Sequence, residues 1–405
     1  MQQEDEPKSG SALSAGEAKR YGRQLLLPQF GVEGQKRLAE SSVLLVGAGG
    51  LGSPIALYLA GAGVGCLGIV DDDTVELSNL HRQIIHSEQT VGQPKALSAQ
   101  QAIQRLNSSI TVIPYNTRLT SENALQLLES YDVVVDATDN IATRYLLNDS
   151  CVLSGKPLVS GSALGLEGRL TVYHYRGGPC YRCVWPRPPP PDSLGSCSEN
   201  GVLGIVPGII GSLQALEVIK VLTGMGEVLS QKMLLFSATN TQSRVIGLPP
   251  RNPKCVVCSN ESPTTATMKL APMEEYERFC GVSNDKNSTL SILPSEHHVS
   301  CVTYYTERRH SDHLLLDVRP MHEFKICSLP HATSIPLNIL SQEIDNIKAK
   351  TQNDNLFPVY VICRRGNDSQ KAVQALRAAG LEHAYNIEGG LVAWAKDIDP
   401  TFPLY

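Results

Sequence analysis

The chain has 405 residues, with Lys and Arg at 35 against Asp and Glu at 40 and a net charge of −5. That length exceeds one ordinary core and predicts two or three domains. The near balance of charge gives no footing for a general nucleic-acid-binding surface, so no direct nucleic-acid partner is expected. The longest apolar stretch, from about Gly201 to Leu213, is short for a membrane span and is interrupted by Pro207. The opening residues MQQEDEPKSG have neither the apolar core of a secretion signal nor an Arg-rich transit pattern, so a cytoplasmic (cytosolic) chain with no membrane partner is expected. The cysteines number eleven, an odd count, and four sit in two Cys-x-x-Cys pairs. In a chain without an export signal that pattern favours metal and thiol chemistry over a disulfide framework.

In chain order, residues 1–16 are polar, lack apolar periodicity and are expected to be disordered. From Tyr21 the pattern turns helical, and the run VLLV at 43–46 predicts a buried strand. Helices and strands then alternate: a helix over 51–60, a strand at 67–70, a helix at 94–106 and a strand at 111–114. A strand at 132–136, a helix from Ile141 and a strand at 157–160 continue the rhythm. This βαβ order predicts a doubly wound, mostly parallel, Rossmann-like α/β sheet. A more β-rich part is expected from Gly168 to about Gly247. Residues 186–200, PRPPPPDSLGSCSEN, cannot hold regular structure because proline fixes φ and removes donors, and they predict a loop. Residues 259–299 are polar and weakly patterned, as a linker is. From about Ser300 a second, smaller α/β unit is predicted, with strands at 313–317, 359–362 and 384–387 and a helix at 369–379.

After the first strand comes GAGGLG, with Gly47, Gly49 and Gly52 in G-x-G-x-x-G spacing. Glycines so spaced let the backbone turn tightly and approach phosphates at a helix N-terminus. Asp71 closes the second strand at a distance suited to a ribose hydroxyl. A nicotinamide-dependent dehydrogenase shows the same fingerprint, so the glycines alone leave that reading open. The residues that follow favour another. Asn79 and Arg82 lie in SNLHRQ just after the second strand, Lys95 opens the next helix, and Asp139 in TDN ends a later strand. Two cations and a carboxylate near the strand C-termini suit a triphosphate with Mg²⁺ better than a nicotinamide.

The motifs YGRQLLLPQFG, GAGGLGSP, DDDTVELSNLHRQ, GQPK and DATDN together resemble the adenylating domain shared by ubiquitin-activating enzymes and the bacterial activators of sulfur carriers. The resemblance covers residues 17–258. It implies that Gly50 and Asp71 hold ATP and that the stretch Ser78, Asn79, Leu80, His81 and Arg82 lines the nucleotide. Asn79, Arg82 and Lys95 are then on phosphates, and Asp139, with Asn140 beside it, is on Mg²⁺. It further implies a homodimer in which Arg23 is supplied across the interface, as a C₂ pair permits.

Cys180-x-x-Cys183 and Cys255-x-x-Cys258 offer four thiolates, the closed tetrahedral set of a structural Zn²⁺. The resemblance places zinc, one per chain, at these positions. Cys197 lies in the Pro-rich loop between Ser196 and Ser198. The bland reading is an incidental cysteine; the resemblance implies a catalytic one that accepts the activated C-terminus as a thioester or resolves a disulfide.

Residues 300–405 resemble a rhodanese domain through DVRPMHEF, LPHATSIPL, CRRGNDSQ and EGGLVAW, in that order. Cys363 ends a strand and opens a loop, Arg364, Arg365, Gly366, Asn367, Asp368 and Ser369, that leads into a helix. Backbone N–H groups in such a loop, a helix dipole and two arginines favour a thiolate or persulfide. A phosphatase loop would need arginine where Ser369 stands.

Taken whole, residues 17–405 resemble the eukaryotic activators that join an adenylating domain to a rhodanese domain. That resemblance implies adenylation of small ubiquitin-like sulfur carriers ending in Gly-Gly, the ubiquitin-related modifier and the small subunit of molybdopterin synthase. Sulfur from a cysteine desulfurase would pass through Cys363 to give a C-terminal thiocarboxylate, for wobble-uridine thiolation in tRNA and for molybdopterin synthesis. An activator that passes its carrier by thioester to a conjugating enzyme is the competing reading; no ubiquitin-fold domain that would recruit such an enzyme is visible.

Overall fold

The computed structural model describes residues 13–189, 201–259, 269–281, 292–351 and 356–405. They fall into two compact units that divide between Asn284 and Asp285.

The first unit is built on an eight-stranded sheet. Its parallel half comprises β1 (Ser42–Val46), β2 (Cys66–Val70), β3 (Thr111–Tyr115), β4 (Val133–Asp136) and β5 (Leu158–Leu164). Strands β6 (Glu167–Tyr173), β7 (Lys232–Ser237) and β8 (Gln242–Gly247) extend it antiparallel, and the order is 3-2-1-4-5-6-7-8. Val43, Leu44 and Leu45 of β1 and Val133, Val134 and Val135 of β4 are all but fully buried, because helices cover both faces. That is why these strands read as continuous aliphatic runs rather than alternating ones. Helices α1 (Ala15–Leu25), α2 (Gly31–Glu40), α3 (Gly52–Ala62), α4 (Lys95–Leu106), α5 (Ala124–Glu129) and α6 (Ile141–Leu153) complete the doubly wound part. The strand order reverses direction at β1, so the loops after β1, β2 and β4 lie side by side at the crevice where such sheets bind ligands.

Three expectations need correction. Disorder through residue 16 is too long: Ser14 caps α1 through a reciprocal pair with Glu17, so the helix begins at Ala15. The part expected to be β-rich contains the longest described helix, α8 (Ile205–Thr223), which follows a short α7 (Tyr181–Val184). Pro207 sits in its first turn, where no intrahelical N–H is required, so it does not interrupt the helix. Helix α8 is long and apolar enough to cross a membrane by length and composition. Here it is a core helix, packed on α3, β5 and β6. Finally, the expected linker contains helix α9 (Met273–Cys280), which packs on α6. Met273, Tyr276, Glu277 and Cys280 share its buried face at helical spacing.

The second unit has a five-stranded parallel sheet of β9 (His298–Val299), β10 (Leu314–Asp317), β11 (Thr333–Ser334), β12 (Val359–Ile362) and β13 (Ala384–Ile387), in the order 11-10-12-13-9. Because β9 belongs to this sheet, residues 298 and 299 are part of the unit and not of the linker. Helices α10 (Leu340–Lys350), α11 (Asn367–Ala378) and α12 (Gly390–Asp397) flank it. β12 is central and buried, and the chain leaves its C-terminal end through Cys363.

Candidate active sites

The loop after β1 owes its shape to glycine at two positions. Gly47 has φ of +101°, and a Cβ there would stand 2.6 Å from the carbonyl oxygen of Ala137, in the loop after β4. A Cβ on Gly52 would stand 2.0 Å from the carbonyl oxygen of Gly47. The loop is thereby pressed against the β4 loop and delivered to the N-terminus of α3, where free N–H groups and the helix dipole favour an anion. Asp71 is spent in part on the loop, accepting from the Ala48 N–H at 2.7 Å and from the Asp73 N–H at 3.0 Å. Burial raises the Asp71 carboxyl, and the nearby Lys95 charge opposes the shift.

The predicted cations are close at hand. Arg82 lies beside Gly50, its Cγ 3.4 Å from where a Cβ of that glycine would be, and its guanidinium donates to Asn79 Oδ1 at 2.7 Å. His81 Nε2 lies 3.3 Å from Arg82 Nη1, and its Nδ1 bonds the Ser78 carbonyl. Ser78 and Asn79 both donate to Glu76, while Leu80 is half-buried in the same turn. Lys95 is almost fully buried, with its Nζ 2.7 Å from the carboxylate of exposed Asp73. The structure brings Gly50, Asp71, Asn79, His81, Arg82 and Lys95 onto adjoining loops. Asp139 is exposed in the loop after β4, whose Ala137 and Thr138 backbone abuts Gly47. Asn140 is the residue that caps α6, accepting from the N–H groups of Ala142 and Thr143, which leaves the Asp139 side chain for solvent or a ligand.

Arg23 is not at this site within its own chain. Its neighbour Gln24 donates to the carbonyl of Ala62, the last residue of α3, whose first residue adjoins the glycine loop. An 11-residue helix separates those ends by about 16 Å. Arg23 is exposed, next to Leu26 and Leu27, which are 74% and 52% exposed.

In the second unit Cys363 is 3% exposed at the end of β12. Its Sγ accepts from the Gly366 N–H at 3.1 Å and lies 3.2 Å from Ser369 Oγ in the first turn of α11. Gly366 takes φ of +86°, which turns the loop back over the sulfur. A second glycine pair braces it: a Cβ on Gly390 would stand 2.2 Å from the Cys363 carbonyl, and Leu391 and Val392 donate to the carbonyls of Cys363 and Arg364 at 3.0 Å each. Arg365 and Asp368 are exposed, and Asp368 pairs with Lys371. Asn367 opens α11. Arg364, expected to add charge at the nucleophile, donates to the backbone oxygen of Tyr405 and lies over its ring.

The two Cys-x-x-Cys pairs meet. The sulfurs of Cys180, Cys183, Cys255 and Cys258 all lie within 4.8 Å of one another, and three of the pairs are 3.4–3.7 Å apart. A tetrahedron of zinc–sulfur bonds of about 2.3 Å has edges near 3.8 Å, whereas a disulfide brings sulfurs to about 2.05 Å. The donor set therefore fits zinc with no open position. Asn252 N–H donates to Cys183 Sγ, as a ligating thiolate requires of its surroundings. Cys197 lies outside the described residues.

Residues 21–257 match the ThiF family, and residues 302–397 match the rhodanese-like domain. The chain is 51% identical to adenylyltransferase and sulfurtransferase MOCS3-2 of Zea mays, with 97% of this chain and 82% of that protein covered. It is 50% identical to adenylyltransferase and sulfurtransferase MOCS3 of Danio rerio, with 98% and 89% covered. The chain belongs to the MOCS3 family. As a MOCS3-family enzyme it is an adenylyltransferase and sulfurtransferase, and the dehydrogenase that the glycine spacing alone allows is set aside. Among solved structures, E. coli MccB with succinimide has the fold of the first unit: TM-score 0.54, 23% identity, 60% of this chain and 74% of that one covered.

Several residues that support these MOCS3-family sites were not singled out from the sequence. Asp136 is fully buried at the end of β4 and accepts from Arg144, Ser160 and Thr138 at 2.7 Å each. Arg144 also donates to the carbonyls of Thr138 and Gly161, so this ion pair sets the backbone that presents Asp139. His86 ties the Ala48 carbonyl to Ser98 Oγ, and burial lowers its imidazole. In the α8 helix, Pro207 packs on the glycine loop at the Gly50 position. DATDN and its following TRY carried a signal for the Asp136–Arg144 pair, an acid and a base eight residues apart across a strand end. The others depend on long-range partners.

Proposed function

We propose that this enzyme uses ATP and Mg²⁺ to adenylate the C-terminal glycine of a small ubiquitin-like sulfur carrier ending in Gly-Gly, then converts the acyl-adenylate to a thiocarboxylate with persulfide sulfur carried on Cys363. The observation that carries this reading is one chain holding both a phosphate-type glycine loop flanked by Arg82, Lys95 and Asp139 and a buried cysteine under a rhodanese-type loop. Carrier carboxylate and α-phosphate are both anionic, and their approach needs fixed cations; Arg82 and Lys95 are proposed for that role. Asp139 would hold Mg²⁺, which supplies charge neutralisation for the leaving pyrophosphate. The carboxylate oxygen bonds to the α-phosphorus and pyrophosphate departs. The terminal sulfur of the Cys363 persulfide then bonds to the carbonyl carbon, and AMP leaves with the pair of the broken C–O bond. The resulting acyl disulfide is opened by a second thiol, the role proposed for Cys197, which releases the thiocarboxylate and leaves a Cys363–Cys197 disulfide for a cellular thiol reductant to restore.

The carriers proposed are the ubiquitin-related modifier and the small subunit of molybdopterin synthase, serving wobble-uridine 2-thiolation and molybdopterin synthesis in the cytosol. A cysteine desulfurase is the proposed donor. Exposed Arg23, flanked by exposed leucines and far from its own glycine loop, supports a homodimer in which each chain lends this arginine to its partner. ATP–pyrophosphate exchange tests the reading: it is expected only when a carrier with an intact Gly-Gly end is present. Exchange that ignores the carrier, or none with either carrier, refutes it.

One structural zinc per chain is proposed for the four-cysteine cluster. Cys255→Ala is expected to lower zinc in elemental analysis and to drop Tm of the first unit by on the order of 10 °C, since ligand loss removes several kcal/mol. Unchanged Tm after complete metal removal would contradict the structural role.

A further inference from the structure

Arg364 follows the nucleophile directly, yet its side chain is committed to Tyr405. The guanidinium lies 4.7 Å from the centre of the Tyr405 ring and donates to the Tyr405 backbone oxygen. Tyr405 is held at its other end as well: its hydroxyl donates to Glu323 and accepts from Arg319 Nη1 at 2.9 Å. Arg319 is in turn forked onto Asp317, fully buried at the end of β10. Burial and the bond to Glu323 both raise the Tyr405 phenol, so it stays neutral and stays a donor. Around the ring, Phe402 and Tyr405 pack against the cluster of Leu391 and Trp394 in α12, the helix that braces the Cys363 carbonyl. Tyr405 therefore couples a buried ion pair, through a rigid ring, to the cation next to the nucleophile.

We propose that Tyr405 is a positioning residue that sets which sulfur donors Cys363 accepts, by holding Arg364 off small oxoanions. This rests on the reading of Cys363 as the persulfide site. Thiosulfate is a dianion, and bringing it to a thiolate requires a cation that can fork onto its oxygens, as guanidinium does. The cation adjacent in the chain is held on an aromatic face and a backbone oxygen instead. Asp368, exposed on the same loop, adds an opposing charge. An alkyl persulfide, the form in which a protein thiol presents sulfur, has no oxoanion to neutralise and is unaffected by that hold. With thiosulfate, the Cys363 thiolate attacks the sulfane sulfur, the S–S bond breaks and sulfite leaves with the bonding pair. With an alkyl persulfide the same attack expels a thiolate. Each path transfers one neutral sulfur atom and leaves Cys363 as a persulfide.

Steady-state sulfur transfer by the full-length enzyme tests the proposal. Tyr405→Ala is expected to lower KM for thiosulfate about tenfold with kcat held within about threefold, because loss of the ring loosens the hold on Arg364 and lets its guanidinium reach the donor. Turnover of cysteine persulfide is expected to change by less than about twofold. Adding Arg364→Ala to that variant should return the thiosulfate KM to its starting value, and Tyr405→Phe, which keeps the ring, should show the original KM. A merely structural role would lower stability and slow both donors together. Where Tyr405→Ala does not fold, Tyr405→Leu retains the apolar packing and carries the same expectation. A folded variant with unchanged or raised thiosulfate KM overturns the proposal. Wild-type enzyme that gains no sulfur on Cys363 by mass spectrometry overturns the persulfide reading beneath it instead.

Discussion

Cys363→Ala enzyme is expected to keep carrier-dependent ATP–pyrophosphate exchange at the wild-type rate while sulfur transfer to the carrier falls by on the order of 10³-fold or more. The split follows from placement. The glycine loop, Arg82, Lys95 and Asp139 belong to the unit ending at Asn284, and Cys363 to the unit that begins at Asp285. Alanine at 363 removes one sulfur and leaves the backbone bonds that brace the loop, since Leu391 donates to the residue's carbonyl and not to its side chain. Mass spectrometry of the carrier after incubation with ATP and a sulfur donor reads the outcome. A Cys363→Ala enzyme that still makes thiocarboxylate at the normal rate would reduce the second unit to a tether and overturn the mechanism.

Asp139→Ala is expected to reduce pyrophosphate exchange by about 10²- to 10³-fold, the range for losing a group that stabilises developing charge, with Tm unchanged. The fold should not notice, because the Asp139 side chain is exposed and Asn140 does the capping. Asp136→Ala provides the contrast. It strips a fully buried partner from Arg144, whose side chain is 17% exposed, and should cost about 3–5 kcal/mol of stability as well as activity. If folded Asp139→Ala enzyme exchanges pyrophosphate near the normal rate, the assignment of this loop to the nucleotide fails.

The parallel strands were legible because burial on both faces writes itself as unbroken aliphatic runs such as VLLV and VVV. Helix α8 was not, for a related reason: apolar on nearly every side, it has no polar face to show a 3.6-residue period, and its glycines and Pro207 mimic a break. Gly211 serves close packing; a Cβ there would stand 2.3 Å from the Leu51 carbonyl. Helix α9 did carry a period, but its charged residues, EE and ER, resemble those of a solvated linker, and only the presence of α6 gives its apolar face a purpose. In the sites, Gly50, Asp71, Asn79, His81, Arg82 and Lys95 lie on neighbouring loops, whereas Arg23 lies away from them and Cys197 is outside the described residues. Tyr405 and His86 act through partners distant in sequence, and no spacing rule reaches them.

The α9 contact bears on where this protein can be cut. Arg182, between the first two cysteines of the four, forks onto Asp149 of α6, and its guanidinium lies against the rings of Tyr145 at 4.8 Å and Phe279 at 5.0 Å, which meet each other edge to face. Tyr276 donates to the same carboxylate at 2.9 Å. A fragment ended at residue 258 would keep every nucleotide-site and cysteine ligand and still strip two of the rings and one donor from a buried charge pair. Part of that pair's shelter is thus encoded beyond the last cysteine, in sequence that looks expendable. An adenylating fragment that keeps this contact runs through Gly281, and a proteolytic nick between 258 and 273 would leave α9 covalently joined only to the second unit.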